Sequence, residues 1–164
     1  MEYNNLLALD QASAISGWAY FENGNLLVDY GKFEAEGSVG ERLVQIRNFV
    51  NEMIDKYHID YIAFEDIQYQ RNAPGDNVHT FKVLAEVYGV IEELAQERNI
   101  PYEVVSASSW KSTLEIKGKR RIEQKHNAQL YVLNAYGVKA TQDTCDAICI
   151  GTHIIKQNEG ISWS

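Results

Sequence analysis

The chain has 164 residues, of which 45% are hydrophobic and 23% charged, with two prolines and a formal net charge of −8. That length fits one domain spanning residues 1–164 with its own core, and the composition excludes a disordered or collagen-like chain; no fixed-period repeat points to a solenoid. The opening MEYNNLLALD carries an acid inside its short apolar run and no basic stretch before it, so neither a secretory signal nor a membrane span is expected, and a cytoplasmic protein is.

In chain order, residues 4 to 10 are an apolar run ending in an acid, and residues 16 to 22 (SGWAYFE) alternate as a strand does. Glu22-Asn23-Gly24-Asn25 supplies turn residues before a third strand over 25 to 34. Between Gly40 and Tyr57, the residues Leu43, Ile46, Val50, Met53, Ile54 and Tyr57 fall at helical spacing, and DYIAFE (60 to 65) returns to a buried strand. A polar stretch from Asp66 to Asp76 precedes a long helical pattern from about Val78 to Arg98. YEVV after Pro101 reads as a strand, and helical patterns cover roughly Arg121 to Tyr136 and Thr141 to Lys156. Three antiparallel strands followed by alternating helices and strands predict an α/β fold with a mixed sheet covered by helices. The first strand should be central, because it is apolar on both faces.

Cys145 and Cys149 lie four apart on one helical face, and His153 continues the row. In a reducing compartment no disulfide is expected. Structural zinc sites draw ligands from more than one element, so core packing is the better reading of all three.

A negative chain is a poor match to DNA unless its basic charge is localised, because phosphate binding depends on lysine and arginine. Here it is localised. Lys111, Lys117, Lys119, Arg120, Arg121 and Lys125 outnumber Glu115 and Glu123, a balance of +4 over residues 111 to 125 that leaves −12 elsewhere. Such a run is equally a solvated face or a DNA-binding one.

Four acids are candidates for one site. Asp10 ends the first strand and Glu65 the fourth, while Asp143 and Asp146 are three apart and share a helix face above Ala147 and Ile150. Singly, each is as well explained as a turn residue or helix cap. Together they would repel unless a cation neutralised them, and hard oxygen ligands favour Mg²⁺ or Mn²⁺ over zinc. Two such ions about 4 Å apart suit in-line phosphoryl displacement, which is nuclease chemistry.

The segments LLALDQASAISGWAYF, IAFEDIQYQ and TQDTCDAICIGTHI resemble, in order and spacing, the motifs of the RuvC family of Holliday junction resolvases. The resemblance extends over nearly the whole chain. It implies an RNase H-like fold with a five-stranded mixed sheet, and it assigns Asp10, Glu65, Asp143 and Asp146 to the family's four metal-binding acids. It also implies a homodimer built partly through helix 78–98, giving paired nicks in four-way junctions, and products with 5′-phosphate ends. Two departures stand out: Asp10-Gln11-Ala12 where the family usually has Asp-Pro-Gly, and LEIKGKRR where it has a glycine-rich pattern. Lys111 and Lys125 best match the family's basic residues. An aromatic near Gln68 enters the junction in the family; Tyr69, one residue on, is the substitute here, with Arg71 as a phosphate contact. Asp66 should alternate away from the site. The short form and its departures look more like phage-encoded relatives, which tend to accept a wider range of branched DNA, than like the cellular enzyme.

Three other readings compete. An RNase H-like nuclease could act on flaps, forks or RNA, and a junction-binding protein could lack catalysis. An actin-like ATPase domain would need phosphate-binding glycine loops and a second domain, for which the chain has neither motif nor length.

Overall fold

The computed structural model describes residues 2–69 and 77–162. Its sheet comprises β1 (Leu6–Asp10), β2 (Ile15–Glu22), β3 (Leu26–Glu34), β4 (Tyr61–Glu65) and β5 (Tyr102–Val105). Their spatial order is β3-β2-β1-β4-β5. The first three strands pair antiparallel, whereas β4 adds parallel to β1, and β5 parallel to β4. β1 is central, as its doubly apolar run requires: Leu6, Leu7 and Ala8 are fully buried.

Five helices cover the sheet: α1 (Val39–Tyr57), α2 (Asn77–Glu97), α3 (Ala107–Thr113), α4 (Arg121–Tyr136) and α5 (Gln142–Ser162). Strand alternation divides the core between the two faces. Leu7, Leu9, Tyr20, Ile62 and Phe64 pack with α1 and α2. Leu6, Ala8, Ala19, Phe21 and Ala63 pack beneath α3, α4 and α5. Helix α3 was not anticipated. At seven residues it is too short for periodicity to register, and it is started by Ser106, whose hydroxyl accepts from the Ser109 N–H at 3.1 Å.

Two glycines let α5 settle onto β2. A Cβ on Gly17 would stand 1.8 Å from the Asp143 carbonyl oxygen, and one on Gly151 would stand 2.2 Å from the Phe21 ring. Neither position has room for a side chain. Cys145 and Cys149 are buried free thiols in α5, as core packing predicts. His153, also buried, shares a hydrogen bond of 2.8 Å between its Nδ1 and the Thr113 hydroxyl. Among the described residues no helix is long and apolar enough to cross a membrane.

Candidate active site

Backbone pairing brings the two strand-end acids together. The parallel ladder between β1 and β4 runs from Leu6↔Tyr61 to Leu9↔Phe64, so Asp10 and Glu65 emerge side by side at the same end of the sheet. On its other flank Asp10 pairs with Gly17, the residue on which the Asp143 backbone rests. The first turns of α5 are thereby seated beside β1, with Asp146 one helical turn beyond Asp143.

The four carboxylates act on one another. Burial, and then the charges of Glu65, Asp146 and Asp143, push the Asp10 carboxyl well above the usual carboxylate range, with a hydrogen bond to Glu65 adding to the shift. Asp146 is pushed up to about 7 by burial and by Glu65 and Asp143, against opposition from Lys111 and Lys125. Burial and mutual repulsion both disfavour the ionised form of such acids. Among the described residues no three such ligands are closed round one point as a finished metal cage. The four are gathered within electrostatic reach but left open.

Glu65 is held from three directions. The Gln11 side chain donates from Nε2 to the Glu65 carbonyl oxygen at 2.5 Å and accepts at Oε1 from the Glu65 N–H at 3.0 Å. The Trp110 indole N–H donates to Glu65 Oε1 at 3.0 Å from a side chain that is 1% exposed. Trp110 arrives on α3, the same helix that carries Lys111 to the site. The Lys111 ammonium lies 5.3 Å from the centre of the Trp110 ring and donates to Gln124 Oε1 at 3.1 Å.

These groups border a cleft of about 450 Å³. Glu65 and Asp146 line it, and so do Lys111, Arg121 and Lys125. The other three candidate basic residues, Lys117, Lys119 and Arg120, are exposed in the connection between α3 and α4 and do not line the cleft. Arg120 instead pairs with Glu123 at 2.7 Å. Tyr69 is 48% exposed, and its ring meets Phe81 edge-on at 5.5 Å, while Gln68 lines the cleft. Arg71 lies outside the described residues.

Asp66 does not turn away as strand alternation suggests. β4 ends at Glu65, and Asp66 reaches the cleft wall with its Oδ1 accepting from the Ile67 N–H at 2.8 Å. The sequence also gave no role to Gln11, Trp110 or Lys32. Lys32 stands opposite Gly17 in the β2–β3 register and pairs with Glu34 at 2.9 Å. That partner, with Asp143 adding a smaller effect, raises its ammonium above the usual lysine value. A polar residue following the strand-end acid was the one visible signal, for Gln11; the other two are brought in by tertiary packing.

A mixed five-stranded sheet with acids at adjacent central strand ends, met by a helix bearing two more, defines an RNase H-like fold. Residues 6–153 match the family described as Crossover junction endodeoxyribonuclease RuvC, and the chain belongs to that family. A curated relative from Fusobacterium nucleatum subsp. nucleatum, also a crossover junction endodeoxyribonuclease RuvC, is 28% identical, covering 96% of this chain and 84% of its own. Among solved structures, T. thermophilus RuvC in complex with a Holliday junction substrate superposes with a TM-score of 0.74 at 16% identity, over 96% of this chain and 97% of that one. The yeast mitochondrial Holliday junction resolvase Ydc2 gives 0.62 at 14% identity, over 95% and 79%. Membership makes the chain a metal-dependent nuclease.

Proposed function

We propose that this chain is a structure-selective endonuclease that resolves four-way DNA junctions, and cuts other branched DNA such as forks and flaps, by hydrolysing phosphodiesters in paired nicks. The cleft carries this reading: Glu65 and Asp146 of the carboxylate cluster line it together with Lys111, Arg121 and Lys125. A phosphate entering it meets cations from α3 and α4 while its scissile bond is presented to the acids.

Asp10, Glu65, Asp143 and Asp146 would hold the metal, Mg²⁺ with two ions per site and Mn²⁺ as a substitute. All four are hard oxygen donors, and the upward shifts of Asp10 and Asp146 mark a cluster that a divalent cation would relieve. When bound, the ions supply Lewis-acid stabilisation of the reacting phosphate and a nucleophilic water at neutral pH. The chain's own part is orientation. Trp110 holds one Glu65 oxygen, and Lys111 and Lys125 hold phosphate charge near Asp146. Hydrolysis would leave 5′-phosphate and 3′-hydroxyl ends. The exposed Tyr69 ring would stack on an unpaired base, and Arg71 would meet phosphate.

Two symmetric nicks need two sites, so the working form would be a homodimer, a single nuclease domain per subunit, acting in the cytoplasm. Helix α2 would contribute to its interface; Val78 on that helix is 53% exposed, and a Cβ at Gly89 would meet nothing within 4 Å. The test is a gel assay of mobile and immobile four-way junctions, forks and RNA-containing duplexes, with and without Mg²⁺, for the native chain and Asp146→Asn. Paired nicking of junctions that needs Mg²⁺ is expected, with Asp146→Asn still binding them but not cutting. Full cleavage by Asp146→Asn would remove the acid cluster from the mechanism, and preferential cutting of RNA would replace the substrate.

A further inference from the structure

The β1–β4 ladder has one rung more than its backbone supplies. In β4 and just beyond it, even-numbered residues direct their N–H groups toward β5: Ile62 donates to Pro101 O at 3.1 Å and Asp66 to Val105 O at 2.8 Å. Odd-numbered residues face β1, so the Glu65 N–H is directed at the Leu9 carbonyl, the last rung of the ladder, while the Glu65 C=O points to where the next β1 amide should stand. The strand does not continue. β1 ends at Asp10, and the following turn is closed on Ser16, whose hydroxyl accepts from the Ala12 N–H and donates to the Ala12 carbonyl, both at 3.0 Å. The Gln11 side chain, 7% exposed, takes the missing place: its Nε2 donates to the Glu65 carbonyl, and its Oε1 also accepts from the Glu65 N–H.

We infer that Gln11 is a positioning residue for the metal-binding acids, its primary amide acting as a surrogate peptide group that locks the Glu65 backbone at a set distance from Asp10. A primary amide is the side chain suited to this task. It offers a donor and an acceptor in the geometry of a peptide, which methionine of similar size cannot, and glutamate would bring a fifth negative charge and no donor. Asparagine has the same groups on a stem one methylene shorter. Loss of the amide leaves the inward-facing Glu65 carbonyl without a donor, so that residue would shift to find another. The residue that departs from the family's usual pattern thus does the work of a strand extension.

This role rests on the proposed nuclease reading only insofar as Glu65 is a metal ligand; the backbone clamp itself can be read without metal or DNA. In the full native chain, NMR should show the Gln11 side-chain amide protons slowed in hydrogen exchange, because Nε2 donates to the Glu65 carbonyl. In Gln11→Met the Glu65 carbonyl carbon should shift upfield, as on loss of a hydrogen bond, while that of Ala63 keeps its position. Calorimetric titration with Mn²⁺ should then give a dissociation constant roughly 10- to 100-fold weaker, the range for removing a residue that supports a metal ligand, and kcat should fall similarly. Junction affinity in EDTA should stay within about twofold, since phosphate contacts are untouched. Gln11→Asn is the second variant should the methionine form fail to fold, with the same losses expected. Gln11 side-chain amide protons that exchange freely in the native chain would overturn the clamp. Unchanged Mn²⁺ affinity in a folded variant would overturn its role in positioning. Absence of any metal-dependent cleavage by the native chain would instead sink the nuclease reading and leave the clamp to the exchange data.

Discussion

Gly17 of β2 lies directly against Asp143 of α5: a Cβ on the glycine would stand 1.8 Å from the Asp143 carbonyl oxygen and 2.8 Å from the Thr144 nitrogen. Because Gly17 is also the register partner of Asp10, the missing side chain decides how near α5 brings its acids to the first strand. Gly17→Ala should lift the start of α5. We expect cleavage to fall by 100-fold or more, roughly the effect of displacing a reacting group by about 1 Å. Gly151→Ala, which strikes the Phe21 ring further along α5, is the matched control. Both variants should lower the melting midpoint, as overpacking does, but Gly151→Ala should keep much more of its activity. Equal activity losses in the two would show that general destabilisation, not acid placement, is what Gly17 prevents.

The basic residues between 111 and 125 separate into two groups. Lys111, Arg121 and Lys125 border the cleft, the latter two at i and i+4 on one face of α4. Lys119 and Arg120 do not, and Arg120 is already paired with Glu123. Lys111→Gln or Lys125→Gln should weaken junction binding and reduce the slope of log Kd against log salt by about 1 each, the signature of one lost phosphate contact. Lys119→Gln and Arg120→Gln should change the slope by less than half as much. Binding measured in EDTA across a salt series checks both statements.

This division also shows what was legible beforehand. The strands and longer helices were readable because their apolar residues recur at the proper period, and β1 announced its central place by having no polar face. The acids could be assigned to strand ends and one helix face for the same reason. Their supports could not. Gly17, Trp110 and Lys32 reach the site through contacts across 45 or more residues, or across the sheet, and no local pattern encodes such contacts. The charge run over 111 to 125 was visible as composition, but which of its members face the cleft depends on the turn between α3 and α4.

Trp110 tests the hold on the Glu65 side chain separately from its backbone. The indole N–H is a buried donor to Glu65 Oε1 at 3.0 Å, and the ring fills the core beneath α3. Trp110→Phe keeps most of the apolar volume and removes the donor. We expect kcat to drop about 10-fold or more with junction affinity nearly unchanged, because a residue that orients a metal ligand acts on the chemical step rather than on phosphate contact. Trp110→Leu should add a clear loss of stability from the cavity it leaves. If Trp110→Phe cleaves at the native rate, the hydrogen bond is incidental and Trp110 is only core.

The acid cluster should make the metal-free protein lose stability as pH rises. An aspartate carboxyl ordinarily titrates at 3.8, and Asp146 in the fold is raised to about 7, with Asp10 shifted in the same direction. The folded state therefore binds these protons more tightly than the unfolded chain. Their stabilising contribution is fully present below about pH 4 and is lost as pH rises through about 7. In EDTA the melting midpoint should fall between pH 5 and pH 8. Asp146→Asn carries no such proton, so its midpoint should fall less over the same window. Mg²⁺ binds the ionised carboxylates, so saturating Mg²⁺ should stabilise the native chain most at pH 8 and flatten or reverse the slope. Differential scanning measurements at the two pH values, with EDTA or Mg²⁺, give all of these quantities. A native midpoint that rises from pH 5 to pH 8 in EDTA would mean that the four acids do not confront one another as this arrangement requires.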